Sequence, residues 1–352
     1  MRPEHPDLAT RVVQWQRSHG RHGLPWQGSA EPYRVWLSEI MLQQTQVSTV
    51  LAYYPRFLAR FPDVEALAQA PLDEVLAMWS GLGYYSRARN LHRCAQQVVQ
   101  QHGGVFPRSS AALAQLPGIG RSTAAAIAAF CFGERAAILD GNVKRVLSRV
   151  LGFGEDLALA AHERQLWQLA ETLLPLGPDM PAYTQGLMDL GAGVCLVRRP
   201  QCLLCPLQPV CVAAQQGAPE RYPVKTRKLK RSRRSSALLW LSDAERRLWL
   251  TRRPESGVWA GLWSLPEFDC ADELAALTSE WPGHTERLTA VEHVLTHLDW
   301  RLEPVRHQLP AHTGDLTLDR LTAQLPAGRW VRPDEALAMG LPAPIRKLLQ
   351  AA

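Results

Sequence analysis

Four cysteines close together in the chain are the clearest sign of chemistry in this sequence. They follow the spacing Cys195-x6-Cys202-x2-Cys205-x5-Cys211, so four thiols fall within 17 residues. Structural zinc sites usually use two separated Cys-x2-Cys pairs, and only one such pair is present here. A [4Fe-4S] cluster, which four thiolates can hold from one continuous loop, fits the spacing better, and zinc is the alternative.

A second candidate site is the glycine motif Leu116-Pro-Gly-Ile-Gly120, which precedes an alanine-rich stretch that we expect in the core. Gly118 and Gly120 allow a tight turn whose amides meet the start of a helix, where a phosphate oxygen can bind. A plain turn between two packed helices has the same pattern, so the motif alone does not decide between the two.

Together these motifs resemble a known family. The glycine motif, Asp140 some twenty residues further on and the cysteine loop resemble the helix-hairpin-helix base-excision glycosylases of the endonuclease III superfamily. Three further stretches are similar to the adenine-specific, MutY-type branch, which removes adenine mispaired with 8-oxoguanine: Trp36–Val47, Gly81–Asn90 and Ile138–Arg145. The likeness covers residues from about 8 to 214 and continues more loosely beyond them.

The resemblance implies two catalytic carboxyl groups. Breaking an N-glycosidic bond develops positive charge on the sugar and negative charge on the departing base, so the reaction uses an acid and an anion. Glu39 lies among apolar residues, where desolvation should raise its pKa and keep it protonated; a surface carboxylate is the alternative. Asp140, assisted by Asn142, matches the position that stabilises the sugar cation, and it can cap a helix at the same time.

Ser122 separates base removal from strand cleavage. In the related lyases a lysine at this position attacks the sugar as an amine, and a serine cannot form a Schiff base. We therefore expect a monofunctional glycosylase, without true lyase activity, that hydrolyses the glycosidic bond and leaves the strand intact. Lys144 could still reach an abasic sugar, but contact with a DNA phosphate is the role we predict for it.

Base flipping requires side chains that enter the duplex and a pocket for the extruded base. The resemblance implies such roles for Gln43, Gln44 and Tyr84 at the lesion, for Gln185 at the adenine edge, and for Leu24 and Trp26 in the pocket wall. Core packing is the alternative for Tyr84, Trp26 and Gln185. Candidates for phosphate contacts, or for a solvated helix face, are Arg87, Arg89 and Arg93.

The second half of the chain resembles the Nudix-like module of the same glycosylases through the stretch Thr251–Pro266. No Glu-rich helix follows that would hold Mg²⁺, so we expect recognition there and no nucleotide hydrolysis. The family's Phe-Ser-His loop is Leu295-Thr296-His297 in this chain. Thr296 keeps a hydroxyl and, with His297, is expected to hydrogen-bond to 8-oxoguanine; a histidine satisfied within a strand is the alternative for His297.

The spacing of apolar residues indicates which elements carry these motifs. From Leu8 to about Leu196 apolar residues recur every three or four positions between Gly and Pro breakers, which is typical of helices. Beyond Ser235, short apolar runs predict a β-hairpin from Ala237 to Thr251, followed by further strands and a final helix. We therefore predict a multidomain chain, an all-α helix-hairpin-helix glycosylase domain with an iron–sulfur loop and then an α+β Nudix-like domain.

The expected boundaries are a helical catalytic domain over 1–216 (helix-hairpin-helix about 112–131, cluster loop 195–211), a basic linker over 217–234 and a Nudix-like recognition domain over 235–352. The net charge of the chain is +6, and eight basic residues with no acidic one lie between Arg221 and Arg234. Such a run is either a solvated hinge or a binding segment, and it is a candidate contact for repair proteins.

Composition limits the remaining classes of protein. Hydrophobic residues make up 46% and charged residues 20%, as in ordinary globular chains. No apolar run approaches the ~18 residues of a membrane helix, and Met1–Arg11 lacks the apolar core of a signal peptide. We expect a cytoplasmic protein, associated with the nucleoid if it is bacterial, with no membrane contact.

The motifs combine into one functional prediction. The chain is expected to act as a monomer with one [4Fe-4S] cluster, in base-excision repair, on double-stranded DNA with an A:8-oxoguanine or A:G mispair. Three alternatives remain: a pyrimidine-lesion glycosylase with lyase activity, a non-catalytic iron–sulfur DNA-binding protein, and a nucleotide-pool hydrolase. Ser122 disfavours the first, the presence of both Glu39 and Asp140 the second, and the missing Mg²⁺ motif the third.

Overall fold

The computed structural model describes residues 7–226 and 230–351 and separates into two compact units. The first unit comprises Met1–Ala68 and Arg93–Lys228, and the second comprises Gln69–His92 and Leu229–Ala352. A segment from the middle of the helical half thus packs with the C-terminal part of the chain. The domain boundaries expected from the sequence, 1–216 and 235–352 around a linker, remain a prediction.

The first half of the chain is helical, as predicted. Its α-helices are α1 (Leu8–His19), α2 (Pro32–Leu42), α3 (Val47–Arg60), α4 (Val64–Gln69), α5 (Leu72–Trp79), α6 (Tyr85–His102), α7 (Ser110–Leu113), α8 (Arg121–Phe132), α9 (Gly141–Leu151), α10 (Ala160–Thr172), α11 (Met180–Asp189) and α12 (Val212–Gln215). A π-helical turn, Leu190–Val194, and short 3₁₀ turns at Cys202–Leu204 and Gln208–Val210 carry the cysteine loop. No helix within the described residues combines the length and apolar character needed to cross a bilayer.

Two of these helices, α8 and α9, have ends that their sequence explains. Helix α9 begins after Asp140, whose carboxylate accepts hydrogen bonds from the first-turn amides. Gly133 follows the last residue of α8 and Gly152 follows the last residue of α9, both in the left-handed conformation that glycine adopts without steric cost. The start of α9 and the ends of both helices are therefore defined by local sequence.

Helix α8 is central to the core of the first unit. Residues Ala124–Ala129 are at most 2% exposed, which confirms the expectation for the alanine-rich stretch. Small side chains let helices approach one another closely, and α2, α7 and α11 all pack on α8. This close packing fixes α2, which carries Glu39, relative to the start of α8.

The second unit is built on a mixed β-sheet. Its strands are β1 (Ser232–Ser242), β2 (Leu248–Arg252), β3 (Trp263–Ser264), β4 (Glu267–Phe268), β5 (His284–Arg287), β6 (Val291–Val294), β7 (Leu298–Gln308) and β8 (Gly328–Val331). The order is β3-β2-β1-β7-β5, with β4 on β1, β6 on β7 and β8 on β2. Strands β1 and β7 are parallel, in register from Ser232 opposite Leu298, and the other pairs are antiparallel.

The predicted hairpin is present as β1 and β2, with Ser242 opposite Leu248. Strand β1 starts earlier than the apolar pattern indicated, inside the basic stretch. Two arginines at its start have acidic partners: Arg231, just before the strand, pairs with Asp299, and Arg234 within it pairs with Glu267 at 2.6 Å. The residues from Ser232 onward are therefore sheet and not hinge.

Helices complete the second unit. They are α13 (Ala271–Ser279), α14 (Asp315–Thr322), α15 (Pro333–Leu337) and α16 (Ala343–Gln350), together with α5 and the first part of α6. The Tyr85 hydroxyl donates to the Leu341 carbonyl at 3.0 Å, and Arg89 donates to the Ala260 carbonyl at 2.6 Å. These bonds hold the segment that carries Tyr84 within this unit.

Candidate active site

A cavity of about 1330 Å³ in the first unit brings together nine of the site residues proposed from the sequence. These are Leu24, Trp26, Glu39, Gln43, Gln44, Ser122, Asp140, Asn142 and Gln185. They come from α2 and the loops beside it, the starts of α8 and α9, and α11. Residues far apart in the sequence thus line one concave space, as expected of a binding site.

Glu39 is positioned by the buried face of α2. Its neighbours Ser38 and Ile40 are buried, whereas Glu39 is partly exposed and lines the cavity. Burial, and after it the negative charge of Asp140, raises the pKa of Glu39 to about 8. The side chain is therefore mainly a neutral carboxylic acid at pH 7 and has a proton to donate.

Asp140 is held at the start of α9. Its Oδ1 accepts hydrogen bonds from the backbone amides of Asn142, at 2.7 Å, and Val143, at 2.9 Å. Both bonds use the same oxygen, so capping does not require the second one. The two roles expected for Asp140, helix cap and cavity anion, are compatible in this geometry.

Arg145 links the cavity to the cysteine loop, a role that was not predicted from the sequence. This buried guanidinium donates to Asn142 Oδ1 at 2.9 Å, to the Gly191 carbonyl at 2.6 Å and to the Cys195 carbonyl at 2.7 Å. Gly191 also approaches Asn142 so closely that an added Cβ would lie 2.6 Å from the Asn142 Cβ. Asn142 is thus oriented by contacts from two directions.

Ser122 and Lys144 have protein partners. The Ser122 Oγ accepts a hydrogen bond from the Leu139 amide at 3.0 Å. Lys144 lies outside the cavity lining, and its Nζ forms an ion pair with Glu163 at 2.7 Å. No lysine is among the residues that line this cavity in the described part of the chain.

The glycine motif forms the turn before α8. Gly118 has φ +76°, a conformation that favours glycine. Gly120 is different, because it has an ordinary φ and a Cβ added there would meet no protein atom within 4 Å. Space beside this helix N-terminus is therefore open on the side where Gly120 lies.

The glutamines between α2 and α3 are constrained. Gln43 Nε2 donates to Thr123 Oγ1 at 3.3 Å, and Gln44 has φ +57°, which is uncommon for a residue other than glycine. Strained backbone of this kind clusters at functional sites.

Trp26 is 8% exposed and packs edge-on against Tyr54, with 5.4 Å between ring centroids. It therefore belongs to the core and also lines the cavity.

In the second unit, Tyr84 and Thr296 form a direct contact. Their hydroxyls are 2.6 Å apart, and Tyr84 has φ +48° and is 44% exposed. Thr296 and His297 are exposed in the turn between β6 and β7, so His297 is not a strand residue. An exposed ring is not core packing, which was the alternative for Tyr84.

The arginines near Tyr84 have structural partners. Arg87 is 9% exposed, its guanidinium lies 5.4 Å from the Trp79 ring centroid, and it donates to the carbonyls of Leu82 and Gly83. Arg89 is bonded to the Ala260 carbonyl. These contacts hold the turn before Tyr84, so the candidate role of Arg87 and Arg89 in binding phosphate is not supported.

The four cysteines of the loop line a second, small cavity in the first unit. Arg149 Nη1 donates to Cys195 Sγ at 3.3 Å, and Cys211 Sγ donates to the Arg149 carbonyl at 3.4 Å. Burial raises the pKa of the Cys205 thiol to about 12 and also raises that of Cys211. Among the described residues no three His, Cys, Asp or Glu side chains are grouped closely enough to hold a single metal ion.

Comparison with known proteins gives two matches that together span most of the chain. Residues 37–172 match the HhH-GPD superfamily of base excision DNA repair proteins, and residues 237–351 match the NUDIX domain. The first match contains Glu39, Ser122 and Asp140, and the second contains Thr296. The predicted fold class, a helix-hairpin-helix glycosylase domain followed by a Nudix-like domain, is confirmed.

Individual relatives extend the match. The adenine DNA glycosylase of Buchnera aphidicola subsp. Acyrthosiphon pisum (strain APS) is 34% identical over 342 residues, covering 96% of this chain and 95% of its own. The adenine DNA glycosylase of Homo sapiens is 34% identical over 390 residues, covering 92% and 70%. Among solved structures, a thermostable thymine-DNA glycosylase is similar with 30% identity and a TM-score of 0.53, covering 59% of this chain and 95% of that one.

Proposed function

We propose that this chain, which belongs to the adenine DNA glycosylase family and is a DNA N-glycosylase of base-excision repair, removes adenine paired with 8-oxoguanine or with guanine from duplex DNA. The observation that carries the proposal is the meeting of Glu39 and Asp140 at one cavity, with the pKa of Glu39 raised to about 8. A neutral acid beside a carboxylate is what cleavage of an N-glycosidic bond requires.

The two carboxyl groups take different roles. Glu39 donates its proton to the departing adenine, which makes the base a better leaving group. Asp140 stabilises the positive charge that develops on the deoxyribose, and its place as the cap of α9 holds it in position. Asn142, oriented by Arg145, assists at the sugar. The reaction is a hydrolysis, in which water supplies the hydroxyl that replaces the base and its remaining proton restores the acid form of Glu39.

The same geometry supports a monofunctional enzyme. Ser122 stands where a lyase has its amine, and its Oγ is engaged by the Leu139 amide. The Lys144 ammonium group forms an ion pair with Glu163 and lies outside the residues that line the cavity. The proposal for Lys144 is therefore modified: a DNA phosphate must compete with Glu163 for it.

Recognition of the base opposite adenine is assigned to the second unit. We propose that Tyr84, Thr296 and His297, which are exposed in this unit, bind 8-oxoguanine. The hydrogen bond between Tyr84 and Thr296 supports a shared role of these two residues in that binding. Gln43 and Gln44 are proposed to enter the duplex, and Gln185, Leu24 and Trp26 to surround the extruded adenine. Gly118 and Gly120 are proposed to receive a phosphate, which the open space beside Gly120 supports.

One [4Fe-4S] cluster is proposed for the four cysteines. Cys195, Cys202, Cys205 and Cys211 share one cavity, and four thiolates are the usual ligand set of such a cluster. When bound, the cluster would cross-link the loop and supply no step of the hydrolysis. Iron and acid-labile sulfide measured in the purified protein test this: about four of each per chain are expected for a cluster, and stoichiometric zinc would contradict it.

Three further expectations stay with this proposal. They are the division into a catalytic domain, a basic linker and a recognition domain; a monomeric state with DNA as the main partner and repair proteins as candidates at the linker; and a cytoplasmic location. Residues 227–229 of the linker lie outside the described residues.

The proposed function is tested on duplexes that differ only in the base opposite adenine. Adenine release is measured under single-turnover conditions from A:8-oxoguanine, A:G and A:T duplexes, each with and without alkali. The proposal predicts release from the first two, with strand breaks only after alkali. Breaks that form without alkali as fast as adenine is released would contradict the monofunctional mechanism, and no release from either mispair would contradict the function.

A further inference from the structure

An ion pair beside Gln185 in the first unit joins the buried carboxylate of Asp189 to the partly exposed side chain of Arg21. Asp189 is 3% exposed and is bound by Arg21 through the guanidinium, with Nε to Oδ1 at 2.7 Å, and through the backbone amide, to Oδ2 at 2.9 Å. Gly20 permits this approach, since an added Cβ would lie 3.1 Å from Asp189 Oδ2 and 2.5 Å from the Gln16 carbonyl oxygen. The carboxylate is therefore held firmly.

Gln185 is tied to this carboxylate. It stands one helical turn before Asp189 on α11, where residues four apart face each other, and its Nε2 donates to Asp189 Oδ1 at 2.8 Å. An ionised carboxylate can only accept hydrogen bonds. The amide of Gln185 must therefore turn its nitrogen, and not its oxygen, towards Asp189.

This orientation determines what Gln185 can offer to a base in the cavity that it lines. With one N–H used by Asp189, the amide keeps its Oε1 acceptor and a second N–H donor. Adenine presents a donor at its 6-amino group and an acceptor at N7, and glutamine can pair with both. A purine with a carbonyl at position 6 presents two acceptors instead, so it meets an oxygen where it needs a donor.

We propose that Asp189, held by Arg21, is a specificity-determining residue that selects 6-aminopurines by fixing the orientation of the Gln185 amide. Asp189 acts through Gln185 and is a positioning residue. The inference rests on the proposed excision of adenine, and it adds the reason why a purine with a carbonyl at position 6 is rejected. A fixed amide can reject such a purine strongly, because the mismatched polar groups remain unpaired in the closed site.

The test compares adenine with hypoxanthine, in which a carbonyl replaces the 6-amino group, each placed opposite 8-oxoguanine. In Asp189→Asn the new amide can donate to Gln185 Oε1, so the glutamine is free to turn over. We expect the ratio of single-turnover rates, adenine over hypoxanthine, to fall on the order of 10-fold in this variant. Asp179→Asn is the matched control, because it breaks another Arg–Asp pair, Arg17–Asp179 at 2.6 Å, and leaves Gln185 alone.

A second variant shows whether Asp189 acts through Gln185. In a Gln185→Ala background the ratio should already be low, and adding Asp189→Asn should not change it further. A wild-type ratio in Gln185→Ala would overturn the inference even if Asp189→Asn proved unstable, and so would an unchanged ratio in a folded Asp189→Asn protein. If the wild-type protein releases no adenine, the proposed function fails instead, and the two failures are distinguishable.

Discussion

Glu39 and Asp140 are separated by about a hundred residues of sequence, yet both line one cavity, and Asp140 contributes to the raised pKa of Glu39. Burial is the larger cause, and the charge of Asp140 is the second. When two interacting acids occupy different surroundings, one is held neutral and the other is left to carry the charge. The pair thus has the division of roles that the proposed reaction needs.

The first prediction concerns the pH dependence of adenine release. The acid form of Glu39 is lost as the pH rises through about 8, so the single-turnover rate should be high below that value. Above it the rate should fall by about tenfold per pH unit, as for a single required proton donor. Rates measured from pH 6 to 10 check this, and a rate that rises through pH 8 would assign Glu39 to the role of a base.

The raised pKa also predicts an effect on stability. The pKa of Glu39 is about 8 in the folded protein against an ordinary value of 4.5, so between these values the folded state binds more protons than the unfolded state. Stability therefore falls as the pH rises through this range. Glu39→Gln removes the penalty, and we expect it to raise the free energy of unfolding by about 2–3 kcal/mol at pH 7 and by little at pH 4.5.

Urea unfolding at the two pH values measures this difference. The control is Glu31→Gln, which changes an exposed carboxylate that pairs with Arg34 next to the same helix. It should alter stability by less than about 1 kcal/mol at either pH. Equal stability of the wild-type protein and Glu39→Gln at pH 7 would show that the burial of the Glu39 carboxyl group does not lower the free energy of unfolding.

Gly191 provides a test of how Asn142 is positioned. In Gly191→Ala the new Cβ would lie 2.6 Å from the Asn142 Cβ, so the start of α9 must shift. We expect adenine release to fall on the order of 10-fold and stability to fall by about 1–3 kcal/mol. Gly193→Ala lies in the same π-helical turn and would meet no atom within 4 Å, so it should behave like the wild-type protein. Similar rates of adenine release in the two variants would show that the close contact of Gly191 does not orient Asn142.

The Tyr84–Thr296 hydrogen bond gives a prediction about lesion preference. Thr296→Val keeps the size of the side chain and removes the hydroxyl that lies 2.6 Å from the Tyr84 hydroxyl. Loss of a hydrogen bond worth about 1 kcal/mol should lower the preference for A:8-oxoguanine over A:G about fivefold. Thr296→Ser keeps a hydroxyl at this position and should keep the preference for A:8-oxoguanine. If Thr296→Val had the same preference as the wild-type protein, the Tyr84–Thr296 hydrogen bond would not contribute to recognition of 8-oxoguanine.

Some features of the fold and of the candidate site could be predicted from local sequence. The apolar surroundings of Glu39 pointed to a raised pKa, and burial does raise it. The spacing of the cysteines pointed to one [4Fe-4S] centre; the four residues line one cavity, and the cluster stays a prediction. The helical and α+β halves followed from the period of the apolar residues. Each of these features depends on residues that are neighbours in the chain.

Contacts between distant segments could not be predicted in this way. Arg145 and Asp189 look like ordinary surface residues of amphipathic helices, and their importance comes from partners such as Gly191 and Arg21, far away in sequence. The same holds for Arg234, which pairs with Glu267 and lies in the part of the basic stretch that forms β1 beside β7. When the partner of a charged residue is distant in sequence, the pairing cannot be predicted from the residues around it.

The most direct measurement of the central claim is the single-turnover release of adenine from an A:8-oxoguanine duplex by Glu39→Gln and by Asp140→Asn. Both variants keep the size of the side chain, and duplex binding is measured in parallel. Each variant is expected to bind the duplex and to lose at least about 10²–10⁴-fold in rate. A rate close to that of the wild-type protein in either variant would contradict the central claim.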